Sequence, residues 1–146
     1  MSTSADTTIN ALRSRREQTV REHIDAESRG DIKAALATFY DANYDVVPFG
    51  ATTNGAAAVE EMLRQLLAAF PDFRATPGPL HHGDEIVFVE SRLTGTHRGE
   101  WAGLPATGRS IDVRSGCVFH FDDDRLIKET VYFDHATLLA QLNAEL

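Results

Sequence analysis

The spacing of apolar side chains changes period once along this chain and divides it into a helical part and a stranded part. From Ile9 to about Ser28, the residues Ile9, Leu12, Val20 and Ile24 recur at helical spacing with charged residues between them. That pattern predicts an amphipathic helix of low apolar content. Residues 1–8 are polar and are expected to form a frayed, flexible tail. Gly30 is placed to end the first helix, and Asp31 to cap a second one carrying Ile32, Ala35, Leu36, Phe39 and Tyr40. Tyr44 to Val47 predicts a short strand closed by Pro48 and Gly50. After Asn54-Gly55, the residues Val59, Met62, Leu63, Leu66, Leu67 and Phe70 keep the helical period until Pro71 stops it.

Beyond Pro71 the period is two. Phe73–His82, Glu85–Thr96, Arg109–Phe121 and Arg125–Phe133 predict four strands joined by turns. The third sets Ile111, Val113, Cys117, Phe119 and Phe121 against Asp112, Arg114 and His120, as in an antiparallel sheet covered on one face. A last helix, about His135 to Asn143, follows Asp134. Three helices, a curved antiparallel sheet and a short C-terminal helix make an α+β architecture, expected as one domain over residues 9–146. A bent sheet wrapped on a long helix encloses a cone, a natural small-molecule cavity.

Composition narrows the function. The chain has 146 residues and a net charge of −8, the wrong sign for a general nucleic-acid binder. Its one basic cluster, Arg13, Arg15 and Arg16, lies among Glu17, Glu22 and Glu27 and reads as a solvated helix face. A single cysteine, Cys117, excludes an intramolecular disulfide and a cysteine-rich metal site. His81 and His82 are adjacent and face opposite ways on a strand, and the other histidines lack ligand spacing, so no metal is expected. Asp122-Asp123-Asp124 reads as a polar hairpin turn. No phosphate-binding glycine loop or nucleophile elbow occurs. No apolar run reaches the roughly 18 residues of a membrane span, and the N-terminus lacks the apolar stretch of a signal peptide. The cytoplasm is the expected location.

Three segments carry a family resemblance. Thr94-Gly95-Thr96-His97-Arg98-Gly99 with Gly103-Leu104-Pro105-Ala106-Thr107-Gly108-Arg109, the ending Asp134-His135-Ala136-Thr137-Leu138-Leu139-Ala140-Gln141-Leu142, and Phe70-Pro71-Asp72-Phe73 together resemble the SnoaL-like polyketide cyclases of the NTF2-like superfamily. The match runs from about residue 15 onward and departs at Asn143, where many relatives carry Gly, a change expected to touch only the helix end. The resemblance implies an NTF2-like cone and a cofactor-free enzyme that closes a ring by intramolecular aldol condensation on a hydrophobic carbonyl compound.

The resemblance also points to Asp134 as the catalytic acid, although an Asp directly before a helix is equally a favoured N-cap. At the rim of an apolar cone its carboxyl would be desolvated and its pKa raised. His120 would assist as an acid/base partner, but the alternation places it off the apolar face unless a bulge near Gly116 or a shift in the turn re-aims it. Arg92 would orient the carboxylate or bind a substrate carbonyl, or would be a surface strand residue. For substrate binding the candidates are Tyr44 as a phenolic donor, His97 and Trp101 on a loop over the cone mouth, and Phe70, Phe88, Cys117, Phe119 and Phe133 as wall or core.

Two cousins of the fold test this reading. Ketosteroid isomerase needs a carboxylate before its Pro-x-Gly turn, a Tyr and a protonated Asp, and Val47, His23 and Cys117 stand at the resembling positions. Limonene epoxide hydrolase matches better, through Tyr132-Phe133-Asp134, Tyr44 and Arg92. However, Thr94 and Val46 stand where its second acid and Asn would be, so epoxide hydrolysis is the runner-up. A non-catalytic NTF2-like ligand-binding protein is the other alternative. A homodimer through the open sheet face is expected from Val118 and Tyr132 among polar neighbours.

Overall fold

The computed structural model describes residues 3–143. Helix α1 spans Ser4–Ser28 and α2 spans Ile32–Ala37. Strand β1 (Asn43–Val46), a single 3₁₀ turn (Val47–Phe49) and β2 (Ala51–Asn54) follow. Helix α3 (Ala56–Ala69) leads to β3 (Arg74–His82), β4 (Ile86–Thr96), β5 (Ser110–Asp122), β6 (Arg125–Phe133) and α4 (His135–Gln141). The six strands form one sheet in the order β2-β1-β6-β5-β4-β3. This is the expected α+β architecture. It is a mixed sheet rather than a purely antiparallel one, because β1 runs parallel to β6. The sequence pattern missed β2, whose Ala-Thr-Thr-Asn carries no apolar alternation and which forms by pairing with β1 at the sheet edge.

Two expectations at the N-terminus need correction. Residues 4–8 belong to α1 rather than to a frayed tail. Thr3 caps the helix through a reciprocal pair: its hydroxyl accepts from the Asp6 amide at 3.1 Å, and the Asp6 carboxylate accepts from the Thr3 amide at 3.2 Å. Residues 1 and 2 lie outside the described residues. Arg16, read as part of a solvated face, is buried. Its guanidinium donates to the Asp123 carbonyl at 2.7 Å and the Asp84 carbonyl at 2.8 Å. It thereby ties α1 to the β5–β6 and β3–β4 turns, satisfying two carbonyls that the turns leave free.

The inward rows of the sheet are nearly all apolar. Val87 and Val89 of β4 pack with Cys117, Phe119 and Phe121 of β5 beneath Val20 and Ile24 of α1. At the other end Ile111 and Val113 meet Phe70, Phe73, Leu138 and Leu142. The β5–β6 ladder slips between His120 and Phe121, so that Ile127 has no partner and β6 reverses the phase of its inward residues there. Among the described residues no helix is long and apolar enough to cross a membrane.

The motif segments close the wide end of the cone. The Asp72 carboxylate accepts from both the Thr96 amide and hydroxyl at 2.7 Å, which hold it below the usual carboxylate range. The Ala69 carbonyl, at the end of α3, accepts from the Arg98 and Gly99 amides at 2.9 and 3.2 Å. Asn143, just past the end of α4, adopts φ 57°, the left-handed conformation in which Gly commonly follows a helix and which Asn also tolerates.

Gly99 lies so close to α3 that a Cβ there would sit 2.2 Å from the Ala68 carbonyl oxygen. Gly99→Ala is therefore expected to force the β4–β5 loop off the end of α3. The expected loss is about 2–4 kcal/mol in denaturant unfolding, and an unchanged midpoint would refute this docking.

Candidate functional site

Between α1, α3 and the inner face of the sheet lies a cavity of about 130 Å³. Its walls are mostly aliphatic and aromatic, including Ile24, Leu63, Phe73, Leu93, Val131 and Phe133. Its polar lining comes from Glu27, Tyr44, Glu129, Cys117 and the serines Ser91 and Ser115. Phe49, on the turn after β1, packs against Phe133 and Trp101 at centroid distances of 5.9 and 5.8 Å and covers the Phe133 end.

The polar end is built from three elements. One turn of α1 presents His23 and Glu27 on the face that also carries Val20 and Ile24. Strand β1 supplies Tyr44, and β6 supplies Glu129 beside it in register. His23 is fully buried. The Thr38 hydroxyl donates to the Ala35 carbonyl at 2.6 Å, so it accepts from His23 Nδ1–H at 2.8 Å. The other ring nitrogen, Nε2, is thereby aimed at Tyr44 Oη (2.7 Å), Glu27 Oε1 (2.7 Å) and Glu129 Oε2 (3.9 Å). Tyr44 also donates to Glu27 at 3.3 Å.

This arrangement displaces the proton equilibria of His23, Glu129 and Tyr44. Burial works against a charged His23, but the Glu27 and Glu129 carboxylates prevail and raise its pKa to about 9. Burial, then the Glu27 charge, push Glu129 up to about 7, with His23 and the Tyr44 hydroxyl partly opposing them. Tyr44 rises well above the ordinary phenol range, through burial and the Glu129 and Glu27 charges, and stays protonated. The site thus holds an imidazolium, a neutral phenol and a carboxyl poised to exchange a proton near neutrality.

His23, Glu27 and Glu129 place one ligand atom each within 4.8 Å of one another, a donor set that sequence spacing could not reveal. His23 Nε2 and Glu27 are 2.7 Å apart, whereas two ligands of one tetrahedral zinc keep about 3.3 Å. As built, the trio shares protons.

None of the three catalytic candidates from the sequence lines this cavity. Asp134 is exposed and acts as the N-cap of α4. Its carboxylate accepts from the Thr137 hydroxyl at 2.7 Å and amide at 3.1 Å, which lowers its pKa instead of raising it. His120 faces outward, as the alternation of β5 required, and bonds Thr130 at 2.9 Å. Arg92 is exposed on the same outer face and paired with Asp112. The acid–arginine–acid relay of epoxide hydrolysis is therefore not assembled among the described residues.

Of the substrate-binding candidates, Tyr44, Cys117 and Phe133 line the cavity. Phe119 lies behind it, edge-on to His23 at 5.7 Å. Phe70 is core, and Phe88 lies on the outer face against His81. His97 is buried and holds its own loop, with Nδ1 3.0 Å from the Thr107 hydroxyl. Trp101 packs on Phe70 and donates to His135 Nε2 at 3.0 Å, joining the aromatic cover without lining the cavity.

Sequence reasoning missed His23, Glu27 and Glu129. A signal existed for the first two: positions 20, 23, 24 and 27 form one helical stripe, so a His and a Glu lie within the apolar face. Glu129 was hidden by the irregularity at Ile127, which shifts the inward phase of β6.

Comparison with known proteins agrees with this frame. The family model described as SnoaL-like polyketide cyclase matches residues 17–142. Among solved structures, a candidate polyketide cyclase of Xanthomonas campestris is 24% identical, with a TM-score of 0.82 over 90% of this chain and 98% of that one. AclR, a candidate hydroxylase of Streptomyces galilaeus, is 20% identical with a TM-score of 0.76 over 89% and 96%. A protein of Catenulispora acidiphila with a ketosteroid isomerase-like fold is 16% identical with a TM-score of 0.76 over 87% and 93%. No curated protein matches the sequence. The matched model spans most of the chain and all the elements that enclose the cavity, so this protein belongs to the SnoaL-like polyketide cyclase family.

Proposed function

We propose that the chain is a small-molecule enzyme of the polyketide-cyclase type, acting by cofactor-free acid/base chemistry on an apolar carbonyl compound, with Glu129 as the proton-transferring residue. One observation carries this reading: a carboxyl with a pKa near 7 stands in the wall of an apolar cavity beside a buried imidazolium. A general base works best when its pKa lies near the operating pH.

The chemistry then runs through named atoms. The Glu129 carboxylate accepts a proton from the carbon next to a ligand carbonyl. The electron pair moves onto the carbonyl oxygen, where the Tyr44 O–H, turned from Glu27, and the His23 positive charge behind it stabilise the enolate. The enolate carbon attacks a second carbonyl of the same molecule. A C–C bond forms, the attacked carbonyl becomes an alkoxide, and the alkoxide takes back the proton from Glu129. The outer sheet face, with Val118 and the half-exposed Tyr132, is where we propose that two copies pair. A monomer by light scattering at micromolar concentration would exclude that pairing.

The test uses a simple ketone in D₂O and follows exchange of its α-protons by NMR. The wild-type protein should accelerate exchange, and Glu129→Gln should lose about a hundredfold or more of that rate. Asp134→Ala should keep it while costing about 1 kcal/mol of stability as a lost cap. Equal exchange by the wild type and Glu129→Gln would leave only a ligand-binding role.

The rate should form a bell against pH, rising as Glu129 ionises near 7 and falling as His23 loses its proton near 9. Stability should show the converse sign. Because the folded state holds the Glu129 proton more tightly than the unfolded state, its contribution is full below about 4.5 and is lost as pH rises through about 7. Glu129→Gln should therefore raise Tm more at about pH 8 than at about pH 5, and a gain independent of pH would contradict the assignment.

A further inference from the structure

The inward rows of β4 and β5 contain two hydroxyls, and they stand opposite each other. Ser91 and Ser115 are direct partners across the β4–β5 ladder, they are 3% and 2% exposed, and both line the cavity. The other inward residues of β4 are Val87, Val89, Leu93 and Gly95, and those of β5 are all apolar or Cys117. Packing does not require serine at this rung. The Ser115 hydroxyl donates to the Ser91 carbonyl at a long 3.4 Å, and the Ser91 hydroxyl has no hydrogen-bond partner among the described residues. The Ser91 Oγ is not sealed from solvent, so its donor opens on the cavity.

The serine rung is well separated from the carboxyl pole. Glu129 pairs with Phe119, four residues along β5 from Ser115, which is about 13 Å of strand. The rung between them carries Cys117 and Val131. The cavity therefore has two polar ends joined by a belt of Cys117 and Val131, with the Cys117 thiol reaching the Ser115 hydroxyl at 3.9 Å.

We infer that Ser91 and Ser115 form a second polar subsite, which selects elongated apolar ligands carrying a further oxygen, a carbonyl or a hydroxyl, remote from the carbonyl held at Glu129. The Ser91 O–H donates to that oxygen. This inference rests on the proposed reading for the Glu129 end, but it concerns binding and is read without turnover.

The experiment titrates the intact protein with an eight-carbon methyl ketone and with diketones of the same chain length that differ in the position of the second carbonyl. Binding is followed by calorimetry, with the fluorescence of the single Trp101 as a second readout. The wild type should bind its preferred diketone about tenfold more tightly than the monoketone, the worth of one buried hydrogen bond. Ser91→Ala should bring the two close to parity while leaving the monoketone affinity unchanged, and Glu129→Gln should alter both ligands alike.

A wild type without preference among the diketones, a preference that survives in Ser91→Ala, or no binding of any member would overturn the subsite. The serines would then serve only to hold cavity water. Failure of the catalytic reading looks different: the diketone preference and its loss in Ser91→Ala would stand, while α-proton exchange would be the same in the wild type and Glu129→Gln.

Discussion

The burial of His23 between two carboxylates is the interaction on which the rest of the site depends. A cavity lined with Leu, Phe and Val cannot hold Glu27 and Glu129 side by side unless a positive charge or a proton stands between them. His23 supplies that charge, and Thr38 fixes which ring nitrogen faces the pair. Without the imidazolium, both carboxyls would have to be neutral or leave the cavity. With it, one proton remains loosely held, and the electrostatic conflict that burdens the fold is the property the proposed chemistry would use.

Placing this conflict requires a rigid helix, and α1 is anchored for that task. Its 25 residues are capped at the start by Thr3 and fastened along their length by Arg16, which reaches the turns at the narrow end of the cone. Both anchors lie away from the reactive turn of the helix. They set its angle across the sheet, and the angle brings His23 and Glu27 over β1 and β6. The second carboxylate arrives from β6 only because the strand slips at Ile127. A regular ladder would carry residue 129 on the outer face, with His120.

The frame was legible in the sequence to within a few residues, since helical and alternating periods report burial directly. Nine of the ten α-helices and strands among the described residues follow from apolar spacing and the residues that bound it, from the stripe of α3 to the alternation of β5, and that alternation also placed His120 outward. The shortfall came where burial and polarity disagree. Thr3 to Asp6 form a capping box in a segment whose one apolar residue, Ala5, gives no helical period. Arg16 and Glu27 read as charged surface because their residue types are usually solvated, although their spacing, like that of His23, puts them on the inner stripe. The exchange of Asp134 for Glu129 has the same origin. A residue type at an element boundary fitted both a cap and a catalyst, and the three-dimensional surroundings decided for the cap.

The segments that identify the family and the residues that line the reactive end of the cavity are different sets, with different physical duties. Asp72, His97, Thr107 and Asp134 each satisfy the backbone or side chain of a turn or helix end, closing the wide mouth of the cone. They hold the same shape whatever the cavity contains. His23, Glu27 and Glu129 sit on a helix stripe and a strand, and none of them caps an element or closes a turn. A cone closed by its caps can carry an apolar residue, a lone base or a proton-sharing trio at those positions without altering its outline. The chemistry of such a chain is therefore read from the inward-facing side chains of α1 and β6, and the motif segments report the container.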